Sequence, residues 1–220
     1  MSNRSKLKEI SDRSSSLARM ITWLDGYAEF HIVDPARIER LLKSSGSPDL
    51  DQAWKNIKDD VTAITDLPAT SDQVKKYSRM SSYARLASIV LVLASFVFIE
   101  IYFFHSGLKN TINPILALSL IIGALYVSLM VNVIASRRMN SAIRTLFQER
   151  ASELSKSRNR IRRSTQALID RLQRDVSSHG LDPPRFKFEL FYTKYNNVNL
   201  LGQKGSRYSA IVRAKSAKRE

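Results

Sequence analysis

The chain has 220 residues and no cysteine, which excludes disulfides, thiolate catalysis and Cys-based zinc or iron–sulfur centres. Its 35 Lys and Arg outweigh 20 Asp and Glu, giving a formal net charge of +15 at pH 7. Residues 1–82 and 83–136 each carry a net +1, whereas residues 137–220 carry +13, which points that last third at an anionic partner.

The first twenty residues are polar and lack the apolar core of a secretory signal peptide. Within them begins an amphipathic pattern, Leu7, Ile10, Leu17, Ile21 and Leu24, with Ser14 in the gap of the seam. It predicts a helix of about three heptads, either a coiled coil or the core-facing helix of a small bundle, broken at Asp25-Gly26. In "DPARIERLLKSSG", Asp34 is a candidate N-cap, Pro35 the first helical residue and Gly46 the stop. A third helix opens at Ser47-Pro48, places Leu50, Trp54, Ile57, Val61 and Ile64 on one face, and is expected to end at Pro68. From Ser71 a further helix runs into the apolar segment that follows. Residues 1–82 are thus expected to form a helical domain.

Residues 83–136 read as a transmembrane hairpin with spans of about 86–104 and 114–135. Each is roughly 28–33 Å long as a helix, against a hydrocarbon core of about 30 Å. Asn113-Pro114 suits the start of the second span. Lys75, Lys76, Arg79 and Arg85 precede the first span, Arg137, Arg138, Arg144 and Arg150 follow the second, and the connection between them holds only Lys109. That asymmetry predicts both termini in the cytoplasm. Within the first span, Glu100 is the one charge. It is expected either to be protonated or turned toward the outer interface near His105 and Lys109, or to face the interior of an oligomer, where carboxylate rings favour cations. In the second span, Ser119 and Gly123, and Ala124 and Ser128, are small pairs four apart that let helices approach closely, either in the chain's own hairpin or between copies.

Residues 137–178 contain neither Gly nor Pro and carry an apolar stripe from Ile143 and Phe147 to Val176. They predict a single long basic helix leaving the membrane. On it, "RNRIRR" offers Arg158, Arg160, Arg162 and Arg163 as a candidate anionic-partner site, the alternative being a solvated helix face. Residues 179–220 read as a basic hairpin-like tail, with "RFKFELFYT" and "RYSAIVRA" as strands and a turn-rich stretch between. Residues 27–33, "YAEFHIV", are a candidate third strand.

No phosphate loop, dinucleotide fingerprint, nucleophile elbow or zinc motif is present. "GQKGS" at 202–206 lacks the phosphate-loop spacing, and His31, His105 and His179 fit no metal-ligand pattern. The expected fold is therefore a mainly α membrane protein without cofactor. The expected function is that of a non-enzymatic anchor or scaffold in the bilayer, binding a protein or further copies of itself. Anionic lipid or nucleic acid is a second class of partner for residues 137–220. Two alternatives stand beside it: an oligomeric pore or effector subunit with Glu100 facing inward, and a membrane tether for nucleic acid or ribosomes.

Overall fold

The computed structural model describes residues 3–31, 34–104 and 113–213. Six α-helices occur in this range: α1 (Asn3–Ala28), α2 (Pro35–Ser45), α3 (Pro48–Thr70), α4 (Asp72–Phe104), α5 (Pro114–Glu149) and α6 (Ser155–Ser178). A 3-10 turn at Pro183–Arg185 leads to the strands β1 (Phe188–Leu190), β2 (Val198–Lys204) and β3 (Arg207–Val212). The chain divides into two compact units, Met1–Asp66 with Ala151–Glu220, and Leu67–Arg150. The first is discontinuous, being assembled from segments on both sides of the hairpin in sequence. The four-part division suggested by composition cuts across these units, because α4 and α5 extend well past their apolar stretches.

In the discontinuous unit, α1 packs on α6 and carries β1 along its side. Leu17, Ile21 and Leu24 are buried as their spacing predicts, together with Met20, Tyr27 and Ala28, and Ser14 is buried in the seam. The expected break at Asp25-Gly26 does not occur, and α1 continues to Ala28. Gly26 instead permits the reversal after the helix, since a Cβ there would lie 3.2 Å from the His31 carbonyl oxygen. The end is a Schellman cap: Phe30 takes φ 61°, its N–H donates to the Tyr27 carbonyl at 3.1 Å, and the His31 N–H donates to that of Gly26 at 2.8 Å. Residues 27–31 are therefore helix end and turn, while 32 and 33 lie outside the described residues.

The cap chemistry of α2 matches its sequence. The Asp34 carboxylate accepts from the Ala36 N–H at 3.0 Å, Pro35 opens the helix, and Gly46 follows it at φ 56°. In α3, Leu50, Trp54, Ile57, Val61 and Ile64 are buried on one face. Pro68 does not end α3, which runs to Thr70; so near the end, proline forfeits one hydrogen bond without breaking a helix interior.

Residues 137–178 do not form a single helix. The path turns at Arg150–Leu154 before α6 begins. No Gly or Pro marks the site. Leu154, Ile161, Leu168, Leu172 and Val176 are buried in the discontinuous unit, and such packing overrides helix propensity.

The sheet has the order β1-β3-β2 and is antiparallel throughout. In β1, Phe188 and Leu190 are buried and Glu189 is exposed, so the expected alternation holds, but over only three residues. The third strand comes from 198–204 within the turn-rich stretch. A bulge between Leu200 and Gly202 interrupts its period of two, which is why no alternation was visible. Gly205, at φ 62°, opens the two-residue turn from β2 into β3.

The other unit is dominated by the antiparallel pair α4 and α5. Asn113 caps α5, its side chain accepting from Ile115 N–H at 3.0 Å and Leu116 N–H at 3.4 Å, with Pro114 at the first position. Asp72–Tyr102 and Ile115–Glu149 are each long and apolar enough to cross a membrane.

Candidate functional site

Three features carry polar or exposed groups that packing alone does not explain: a polar clasp in the discontinuous unit, an open sheet edge, and a hydroxyl-lined seam in the hairpin.

The clasp centres on the last turns of α1. Asp25 is fully buried and accepts hydrogen bonds from the Phe191 N–H, the Tyr192 N–H at 3.3 Å and the Tyr195 hydroxyl at 2.9 Å. One carboxylate thereby anchors the loop after β1 to the N-terminal helix. Desolvation raises its pKa to about 6, outweighing the three donors that favour the charged form. Burial likewise pushes the Tyr195 hydroxyl above its usual range, with Asp25 beside it adding to the rise. One turn on, Glu29 is paired with both Arg158, at 3.1 Å, and Arg162. The Arg158 Nε also donates to the Ala28 carbonyl at 2.7 Å, covering the C-terminal end of α1. The two guanidinium groups lie over aromatic rings, Arg158 4.7 Å from the centre of Phe30 and Arg162 4.2 Å from that of Tyr192.

The four candidate arginines therefore do not share one surface. Arg158 and Arg162, four apart, face inward onto α1. Arg160 pairs with the buried Asp60 of α3 at 2.8 Å. Only Arg163 is exposed without an ion pair among the described residues. Sequence reasoning missed Asp25 as the anchor of the loop after β1, and Glu29 as the partner of Arg158 and Arg162. The signal available was an acidic pair four apart at the end of an apolar seam.

The sheet has two unlike edges. At β1, the Glu189 N–H donates to the Thr22 hydroxyl of α1 at 3.0 Å, so a helix covers that side. At β2 nearly every residue is exposed, including the large apolar Leu200 (45%) and Leu201 (52%). Phe186, Phe188 and Leu190 are buried and form no free stacking platform.

In the hairpin, Ser128 is buried against α4, donating to the Ala84 carbonyl at 2.7 Å and lying 3.0 Å from the Ser88 hydroxyl. Ser81 donates to the Asn132 side chain at 2.6 Å. Of the small residues singled out in sequence, only Ser128 packs in this seam. Ser119, Gly123 and Ala124 are exposed, and a Cβ on Gly123 would meet nothing within 4 Å. Extending the pairing of Ser81 with Asn132 and Ser88 with Ser128 brings Glu100 level with residues 113–116, the N-terminal turn of α5. Glu100 is exposed there; His105 and Lys109, its expected neighbours, lie outside the described residues.

Among the described residues no three His, Asp or Glu side chains come together as a metal site requires. Compared with protein-family models, with curated proteins and with solved structures, the chain matches none.

Proposed function

We propose that the protein is a membrane-anchored adaptor: α4 and α5 cross the bilayer as a hairpin, and the discontinuous unit presents β2 to an acidic segment of a protein partner. The observation that carries this reading is the open edge of β2. An exposed strand with apolar side chains is a template for another chain, and folded proteins otherwise charge or cover such edges. Here the opposite edge is covered and, among the described residues, this one is not. The described part of the tail that carries it is basic, since residues 179–213 have a net +4, so an acidic extended segment complements it.

The hairpin's own surface supports the anchor. Leu86, Phe96 and Leu120 are 59%, 66% and 68% exposed, which fits lipid contact better than the core of a soluble protein. Affinity capture of the full chain in mild detergent tests the adaptor reading. A specifically co-purifying protein should be retained by the parent and lost by Leu201→Asp, with the unfolding midpoint unchanged because Leu201 is half-exposed. Equal capture by both would remove β2 as the docking edge.

A second reading, an oligomeric pore, keeps one supporting observation: Glu100 and the small residues Ser119 and Gly123 lie on the outside of the hairpin, where another copy could meet them. A change of assembly or ion conductance in Glu100→Gln would favour it. A nucleic-acid tether is supported least, because most of the candidate arginines and the tail's phenylalanines are occupied within the fold.

A further inference from the structure

A cleft of about 820 Å³ lies against the hairpin, within the size range of ligand sites. Its lining on α4 includes Asp72, Lys75, Lys76, Arg79, Tyr83 and Ala87, at helical steps of three and four, so these residues share one face. The cleft is charged at one end and mainly apolar at the other, which is lined by Ala84 and Ala87 with Val131 and Ser128 of α5, the Ser128 hydroxyl being bound to the Ala84 carbonyl. Asp72 approaches Lys75 at 3.9 Å. Lys76 and Arg79 are exposed and have no ion pair among the described residues.

This division matches the cross-section of a bilayer. If the hydrocarbon begins near Leu86, Ala87 lies in it, and Arg79, seven residues earlier, stands about 10 Å outside. The headgroup layer is roughly 5–8 Å deep on each side, and long basic side chains extend toward it along their apolar stems. Arg79 thus reaches back toward phosphate depth along its stem, with Lys76, about 15 Å outside the hydrocarbon, above it, and Ala84, Ala87 and Val131 form a floor at the hydrocarbon boundary able to take the first part of an acyl chain.

We infer that this cleft binds one anionic phospholipid, its headgroup held by Lys76 and Arg79, its acyl chain against Ala84, Ala87 and Val131. Basic pockets at the cytoplasmic ends of transmembrane helices are suited to such headgroups. The inference rests on the hairpin being inserted in the bilayer.

The test uses full-length Tyr83→Trp in phosphatidylcholine vesicles, titrated with acyl-brominated phosphatidylglycerol or acyl-brominated phosphatidylcholine. The parent, with Trp23 and Trp54 only, supplies the baseline. Brominated phosphatidylglycerol should quench the new tryptophan at a mole fraction roughly threefold or more below that of brominated phosphatidylcholine. Adding Lys76→Gln and Arg79→Gln should bring the two curves together. Adding Arg85→Gln and Arg137→Gln, which removes the same charge from the same interface outside the cleft, should leave them apart. Coincident curves before any charge is removed would overturn the site, as would an equal loss of preference in both double variants, which would mean diffuse surface attraction. Absence of quenching by either lipid would overturn the membrane reading, and the site with it.

Discussion

At the scale of single residues, Asp25 decides how the discontinuous unit responds to pH. Its ordinary value is 3.8 and the folded value is about 6, so between about pH 4 and pH 6 the folded chain binds more protons than the unfolded chain. Stability contributed by this group therefore falls as pH rises through that window. Above it the full cost stands, on the order of 3 kcal/mol. Asp25→Asn should abolish that slope. Its amide oxygen can still accept from the backbone, and its NH2 can donate to the Tyr195 oxygen, so the variant should stay within about 1 kcal/mol of the parent near pH 4, where the folded Asp25 is protonated, and be the more stable of the two at pH 7. Asp25→Ala leaves three donors unpaired and should cost about 2–4 kcal/mol. The fluorescence of Trp23 and Trp54, both in this unit, reports its unfolding in urea. An identical pH slope in the parent and Asp25→Asn would show that Asp25 does not titrate in this window.

Among elements, α6 shows how far the sequence could be followed. Its stripe from Ile161 to Val176 was legible from spacing, as were the caps of α2 and α5 and the buried face of α3, because those signals are local. The turn at Arg150–Leu154, the continuation of α1 through Gly26 and the strand β2 were not. Each is set by a contact distant in sequence: packing of α6 on α1, the reversal that brings His31 over Gly26, and pairing of β2 with β3. The site was legible in composition but not in use. Arg158 and Arg162 were visible as charge, whereas their pairing with Glu29 depends on two segments more than a hundred residues apart. That pairing makes a contrast within one motif. Glu29→Gln leaves two half-buried guanidinium groups short of a counter-charge and should destabilise the unit by about 1–3 kcal/mol. Arg163→Gln, on the exposed face, should change stability by less than about 0.5 kcal/mol. Equal effects in urea unfolding would mean that the clasp contributes no more than an exposed surface charge.

For the whole molecule, the discontinuous unit constrains topology independently of any charge rule. Its two halves flank the hairpin, so if they fold together while α4 and α5 span a bilayer, both must lie on the same side. The number of crossings between them must then be even, which the two helices satisfy. The distribution of Lys and Arg adds only an expectation of which side that is, the cytoplasmic one. Because the chain has no cysteine, single substitutions give an unambiguous label. Lys8→Cys in α1, Lys204→Cys in β2 and Lys109→Cys in the connection (outside the described residues) should be compared with a membrane-impermeant maleimide. In intact cells only Lys109→Cys should react; after lysis all three should. Labelling of positions 8 and 204 together, with 109 protected, would invert the orientation while leaving the fold intact. That outcome would count against the charge rule alone. Labelling of just one of positions 8 and 204 would place the halves on opposite faces. The discontinuous unit could not then exist in the membrane, and the adaptor reading would fall with it.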